Sequence, residues 1–148
     1  MPIKRLSPKD AFEQYLDRRA EEIERVMINN FIYVGESCIT EARTNGRYKD
    51  QTGNLRSSIG YIILKDGKIV KESDFSTIKN GKKGATQGRQ FIQSLISEHS
   101  SGLVLIVVAG MEYAAYVEAK NLNVLDSAEQ LAERLVPQLL KSLKYDLN

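Results

Sequence analysis

The sequence is poor in the residues that build disulfides, metal sites and membrane spans. It has one cysteine, Cys38, so an internal disulfide and a cysteine-rich metal site are excluded. The longest apolar run, Leu103–Ala109, has seven residues, whereas a membrane-spanning helix needs about 20. The first ten residues lack the apolar stretch of a signal peptide. We therefore expect a soluble protein of intracellular origin that does not contact a membrane.

Neither sign of charge dominates the chain. Its 21 basic and 19 acidic side chains give a net charge of +2, which is too even to predict nucleic-acid binding from bulk charge. The acidic residues form no HExxH motif, no EF-hand loop and no aspartate cluster. The sequence therefore predicts no metal and no cofactor.

Candidate catalytic groups are few. His99 is the only histidine, and its place at a predicted helix end favours a contact with the carbonyl dipole over a role as a base. Cys38 lies on an apolar helical stripe, which favours inert packing over a nucleophile paired with His99. Tyr113 and Tyr116 have no basic or metal partner near them in sequence, which favours packing or interface use over proton donation. We expect that the protein is not an enzyme.

The first part of the chain has the pattern of one long helix. Ser7, Pro8 and Asp10 form a start signal: a cap, a preset φ and a negative charge at the positive end of the helix dipole. Apolar residues then recur every three or four positions, at Phe12, Leu16, Ala20, Ile23, Met27, Phe31, Val34 and Cys38. The pattern predicts a helix over about 7–44, which ends near Gly46 as the first residue outside it. Its length, on the order of 50 Å, exceeds what a small core can cover.

A hairpin is predicted next. Residues 55–64 have the pattern of a strand, and the Asp66-Gly67 pair that follows favours a two-residue turn. In that register Leu64 faces Ile69 and Ile63 faces Val70. The returning strand soon becomes polar, which predicts a place at the sheet edge.

The next segments alternate between a loop, a helix and a strand. The glycine-rich segment 76–88 predicts an exposed, mobile loop, and residues 89–99 a short middle helix. Leu103–Ala109 carries no charge, which suits a central strand buried on both faces. Gly110–Asn121 predicts a helical turn, and Leu122–Leu125 a last short strand.

A terminal helix completes the chain. Asp126 and Glu129 resemble a capping box at the start of a helix over 127–146, which Pro137 should kink or divide. The element order predicts an α+β fold in a single domain, 1–148, with a small, curved, mainly antiparallel sheet within 45–126.

The predicted loop is basic, since it carries Lys79, Lys82 and Lys83, with Arg89 directly after it. It contains no Gly-Lys-Ser/Thr, so it is not a Walker A phosphate loop. Gly81–Gly84 matches the Gly-x-x-Gly of KH domains formally, but it follows a strand, whereas that motif joins two helices. Nonspecific contact with a nucleic-acid backbone and simple solvation of the loop both stay open.

Two segments together resemble a known family. Gln51–Ile59, QTGNLRSSI, precedes a strand, and Gly110–Glu118, GMEYAAYVE, follows some fifty residues later. In this order they resemble the tail-completion or head–tail joining proteins of long-tailed phages and prophages, the gene-product-ten-like neck and minor tail components. That family combines a long first helix, a joint, a curved antiparallel sheet, a tyrosine-containing turn and a terminal helix. The matching residues are Thr52, Gly53, Leu55, Arg56, Ser58, Ile59, Tyr113, Ala114, Tyr116, Val117 and Glu118.

The resemblance implies a non-enzymatic subunit of a homo-oligomeric ring in the virion, made in the cytoplasm of a bacterial host. Its implied partners are copies of itself, neighbouring connector and tail proteins, and nonspecific DNA in the lumen, which Lys82 and Lys83 would face. The chain departs from the family after Glu118, because Ala119-Lys120-Asn121 stands where the family commonly has Phe/Tyr-Gly-Thr. Arg56 is expected in an ion pair, either local or between subunits. The alternative is a small nucleic-acid-binding module that uses the loop 79–89.

Overall fold

A three-stranded antiparallel sheet of order β2-β1-β3 is packed between helices in the computed structural model, which describes residues 7–146. The strands are β1 (Ile59–Lys65), β2 (Lys68–Glu72) and β3 (Leu103–Ala109). The helices are α1 (Pro8–Asn45), α2 (Asn54–Ser57), α3 (Lys82–Ser94), α4 (Ala114–Ala119) and α5 (Asp126–Asp146). The predicted α+β class, the long first helix and the antiparallel sheet are confirmed.

Helix α1 begins as its start signal predicts, with the backbone N–H of Asp10 donating to Ser7 Oγ at 3.1 Å. It has 38 residues, which corresponds to about 57 Å. Only its second half enters the core, where full burial begins at Val34. Phe12 and Leu16, on the predicted apolar stripe, are 61% and 48% exposed. The first half of α1 therefore presents apolar side chains to solvent.

Strand β1 is the centre of the core, because helices cover both of its faces. Ile59, Tyr61 and Ile63 face α1 and α5, where they join Val34, Cys38, Ile39, Ala42 and Ala128. Ile62 and Leu64 face α3, where they join Phe75, Ala85, Ile92 and Val108. Contact between α1 and the sheet is close at Gly35, where a Cβ atom would lie 2.8 Å from the ring of Tyr61.

The hairpin between β1 and β2 is confirmed, but half of its predicted register is wrong. Asp66 and Gly67 both have positive φ, 50° and 80°, as the expected turn requires. Leu64 does pair with Ile69, whereas Ile63 pairs with Lys71 and not with Val70. A β-bulge at this point makes Val70 an extra residue on β2. Strand β2 lies at the sheet edge, as predicted.

The predicted loop over 76–88 is wrong in its second half, because α3 begins at Lys82. Gly84 and Gly88, which suggested a loop, instead let α3 approach α2 and the sheet closely. A Cβ atom on Gly88 would lie 2.6 Å from the carbonyl oxygen of Ser58, and one on Gly84 would collide with the carbonyl of Asn54. A short 3₁₀ turn, Ile96–Glu98, follows α3, and the segment from Lys82 to residue 98 is kinked.

Three strand predictions need correction. Residues 55–57 belong to α2 and not to a strand, because the carboxylate of Asp50 holds the N–H groups of Leu55 and Arg56 in a helical turn. Leu122–Leu125 is not a strand, because its N–H groups bond to a side chain of α4. Leu103–Ala109 is a strand, but it lies at the edge of the sheet and not at its centre.

The helix ends also differ in detail from the prediction. Gly46 directly follows α1, as predicted, and has φ −64° and ψ 128°, so the chain leaves the helix in an extended conformation. Helix α5 is not divided at Pro137, which lies inside it. Leu135, Val136 and Leu139 pack towards the α1 side of the core, and this packing offsets the backbone hydrogen bond that proline removes.

Candidate functional site

Arg56 joins the end of α1 to the segment that leads into the sheet. Its Nε donates to the carbonyl oxygen of Arg43 at 3.1 Å, and its Nη2 donates to that of Gly46 at 2.9 Å. The guanidinium carbon also lies 4.4 Å from the centre of the Tyr48 ring, a cation–π contact. Nη1 of Arg56 lies 3.8 Å from Oδ2 of Asp50, so the local one of the two predicted ion pairs is present.

Arg43, on α1, donates to the backbone of the segment that carries Arg56. Its Nη2 donates to the carbonyl oxygen of Ile59 at 2.7 Å, and its Nε donates to that of Arg56 at 3.4 Å. Each arginine thus binds the backbone of the segment that carries the other. Burial lowers the pKa of the Arg43 guanidinium, although a nearby carboxylate, Glu36, opposes this effect. A guanidinium still stays charged in this setting, so both contacts are charge-assisted.

Asp50, which sequence reasoning missed, caps α2. Its two carboxylate oxygens accept from the backbone N–H groups of Leu55 at 3.2 Å and Arg56 at 2.9 Å. Its side chain is only 3% exposed, and Oδ2 lies 3.8 Å from Nη1 of Arg56. Gly53 occupies the N-cap position of α2, and Asp50 supplies from three residues earlier the acceptors that an N-cap side chain usually provides. It was overlooked because Leu55 and Ile59 fit a strand pattern.

The motif residues around α2 hold the backbone rather than presenting free functional groups. Gly53 has φ 77°, and a Cβ atom there would collide with the carbonyl of Ile78. Thr52 Oγ1 accepts from the N–H of Asn54 at 3.3 Å. Ser58 Oγ donates to the carbonyl oxygen of Leu55 at 2.7 Å. The bond of Thr52 and the positive φ of Gly53 form the turn that leads into α2.

The second motif segment lies beside the first. Glu118 accepts from the N–H groups of Val124 and Leu125 at 2.6 and 2.8 Å, so it organises the approach to α5. Asn123 Oδ1 accepts from the N–H of Ser127 at 2.9 Å, the capping role that the sequence had suggested for Asp126. Asn123 Nδ2 also donates to the carbonyl oxygen of Asn45 at 3.0 Å, which ties this segment to the end of α1.

A shared apolar cluster joins the two motif segments. It consists of Tyr48, Leu55, Met111, Ala114 and Val124, with Val117 packed against it. An open cleft at its surface is lined in part by Thr52, Leu55, Tyr113 and Val117. Tyr113 and Tyr116 are 41% and 62% exposed, so their rings are only partly used by the fold. Lys120 Nζ lies 4.5 Å from the centre of the Tyr116 ring.

Lys79 precedes α3, whereas the other three predicted basic residues lie on it. Lys79 Nζ donates to the backbone carbonyl of Asp50 at 3.0 Å, so it belongs to the joint between α1 and the sheet. Lys82, Lys83 and Arg89 are exposed on α3, which carries no acidic residue. The guanidinium of Arg89 lies 6.0 Å from the centre of the Phe75 ring.

The sequence's single cysteine and single histidine lie in different surroundings. Cys38 is buried beside α5, and its thiol lies 3.4 Å from the carbonyl oxygen of Ala128. Burial raises the pKa of this thiol, which disfavours the nucleophilic thiolate. His99 is partly exposed and lies near the hairpin turn at Gly67.

No group of three or more histidine, cysteine, aspartate or glutamate residues within residues 7–146 is placed to hold a metal ion. No helix within the same range is long and apolar enough to cross a membrane.

Replacing Arg56 with lysine should destabilise the protein by about 1–3 kcal/mol, because one ammonium cannot serve both carbonyls and stack on Tyr48 as a guanidinium does. The free energy of unfolding in urea measures the loss. Arg47→Lys is the matched control, since exposed Arg47 makes a side-chain bond to the carbonyl of Asn121. Equal losses in both variants would contradict the role of Arg56.

Tyr48→Phe should change the stability of the protein at high pH. Burial is the main cause that raises the pKa of Tyr48 to about 12, and no described residue bonds its hydroxyl group. The folded-state pKa lies above the ordinary value near 10, so the fold favours the uncharged phenol of Tyr48. The stabilisation that comes from this preference is complete below pH 10 and is lost between pH 10 and 12. The variant should match or exceed the wild type at neutral pH and lose roughly 2 kcal/mol less across this window. Urea titrations at each pH test this, and parallel curves would contradict it.

Comparison with known protein families, with curated proteins and with solved structures finds no match to this chain.

Proposed function

We propose that this chain is a structural virion protein, a head–tail connector or tail-completion ring subunit of a phage or prophage. The observation that carries the proposal is the meeting of the two segments that resemble that family. Leu55 of the first segment and Ala114 of the second share one apolar cluster, although they are far apart in sequence. The two short motifs thus belong to one structural unit. This supports one resemblance to the family that involves both motifs, rather than two separate coincidences.

Exposed apolar side chains support a role in assembly. Phe12, Tyr15 and Leu16 on the first half of α1 are each about half exposed or more, and Tyr113 and Tyr116 project from the second motif segment. These two groups lie on different elements, so they provide two different surfaces. A ring needs such a pair, because each subunit contacts its neighbours through two unlike surfaces.

The joint at Arg56 would then hold the helix for assembly. A helix of about 57 Å acts as a lever, so a small change in angle at its base moves its tip by several ångströms. The contacts of Arg43 and Arg56 fix this base on two backbone segments. A ring subunit needs a fixed angle between α1 and the sheet, because an error in this angle would be repeated at every subunit of the ring.

Complementation of a phage or prophage that lacks this gene tests the proposal. Without the protein, we expect DNA-filled heads and free tails in electron micrographs, and the wild-type chain should restore joined particles. Phe12→Ser with Leu16→Ser should remain folded by circular dichroism yet fail to restore joining, because both side chains are exposed. The control is Gln90→Ser, which alters an exposed residue of α3. Normal particle yields without the gene would contradict the proposal.

A second candidate function is nonspecific nucleic-acid binding through α3. It is favoured by the exposed positions of Lys82, Lys83 and Arg89 and by the absence of acidic residues from this helix. Lys79, which the sequence had grouped with them, is bound to the backbone of Asp50 instead.

If α3 binds DNA, affinity for a duplex should fall steeply as the salt concentration rises. Lys82→Ala with Lys83→Ala should reduce the slope of log affinity against log salt concentration by about 2. Fluorescence anisotropy at several salt concentrations measures both. The matched control is Lys9→Ala with Lys141→Ala, which removes the same charge from exposed positions of α1 and α5. Equal effects of the two double variants would exclude α3 as the specific contact.

A further inference from the structure

Strand β3 has the composition of a central strand but lies at the edge of the sheet. Its seven residues, LVLIVVA, include no charge and no proline. Its pairing with β1 runs from Leu103 to Ala109 without a bulge. Native edge strands are usually protected from pairing with other chains by charges, prolines or bulges. Strand β3 has none of these, and six of its seven residues keep partial exposure.

The hydrogen-bonding pattern identifies the unpaired side of β3. The N–H of Gly110 donates to the carbonyl of Ser58, and the N–H of Asp66 donates to that of Gly102, so even-numbered residues of β3 bond to β1. The backbone groups of Leu103, Leu105, Val107 and Ala109 therefore point away from β1. No residue among 7–146 bonds to these groups. They form a regular row of donors and acceptors.

The opposite edge of the sheet is protected. Strand β2 has five residues, carries Lys68 and Lys71, and is interrupted by the bulge at Val70. Each of these features opposes the addition of another strand. Contact between β2 of one molecule and β3 of another is therefore disfavoured, which leaves the β3 edge as the site for strand addition.

We propose that β3 pairs with β3 of a second copy of this chain, antiparallel and about a two-fold axis at Ile106. In this register Leu103 lies opposite Ala109 of the second copy, and Leu105 lies opposite its Val107. Each of the four outward-facing residues of one copy then lies opposite an outward-facing residue of the other copy. The four pairs can exchange two hydrogen bonds each. A second copy is chosen because it carries the same regular, uncharged edge, so one contact covers the exposed β3 edge of both molecules.

The product is a six-stranded sheet with order β2-β1-β3-β3-β1-β2. Residues that pair across strands have side chains on the same face, so α1 and α5 of both copies lie on one face and α3 of both on the other. Both exposed edges of the new sheet are the protected β2 strands. This two-fold contact is distinct from the head-to-tail contacts of a ring, and it does not depend on the proposed function.

Amide hydrogen exchange at two protein concentrations, read by nuclear magnetic resonance, tests the pairing. At the concentration where sedimentation shows a dimer, the amides of Leu103, Leu105, Val107 and Ala109 should exchange at least tenfold more slowly than in the monomer. The amides of Val104, Ile106 and Val108 are bonded to β1 in both states, so they are the internal control. A chain that stays monomeric to its solubility limit overturns the proposal. A dimer in which the four odd-numbered amides keep their monomer rates also overturns it.

A variant gives a second test. Val107→Pro removes an outward N–H without touching the bonds to β1, and proline is tolerated at such edge positions. The variant should sediment as a monomer where the wild type is a dimer, with an unchanged far-ultraviolet circular dichroism spectrum. A folded variant that dimerises like the wild type overturns the proposal, and the exchange experiment decides the question if the variant does not fold. Complementation of head–tail joining is scored separately, so either proposal can fail alone.

Discussion

The reciprocal contact between Arg43 and Arg56 is the constraint on which the rest of the structure depends. It lies where a helix of 38 residues gives way to the sheet, and each arginine binds backbone carbonyls of the other's segment. The carbonyls at the end of a helix have no partner within the helix, so they need donors from elsewhere. Arg56 supplies such donors, and the same contacts set where β1 begins. The position of α1 over the sheet follows from this joint.

Asp50 and Asn123 extend the joint in two directions. Asp50 holds the N–H groups at the start of α2, which places Leu55 in the apolar cluster and Arg56 next to α1. Asn123 binds both the end of α1 and the start of α5, so the terminal helix is positioned by the same region. Buried polar groups of this kind are costly when unpaired, so each bond narrows the set of arrangements that the chain can adopt. The sheet and two long helices are thus positioned from one region.

The sequence predicted the parts whose signals are local and periodic. The start of α1, the Asp66-Gly67 turn and the pairing of Leu64 with Ile69 all follow from residue types at fixed spacing. It failed where a residue's role depends on a distant contact. Gly84 and Gly88 suggested a loop because their helical use requires a neighbouring backbone that lies far away in sequence. The contact of Asp50 is local, but the strand-like pattern of Leu55 and Ile59 concealed it. The bulge at Val70 has no signal in residue type.

The motif residues divide into those that the fold explains and those that it does not. Leu55, Ser58 and Ile59 are buried, and Glu118 bonds two backbone N–H groups, so their residue types follow from the needs of this chain alone. Tyr113 and Tyr116 keep much of their rings in solvent, and burial within the chain does not account for two aromatic residues there. Exposed aromatic residues are enriched at protein interfaces. Under the proposed function, the partner-binding surface would comprise these tyrosines and the first half of α1, and Arg56 would act indirectly, by fixing the positions of those surfaces.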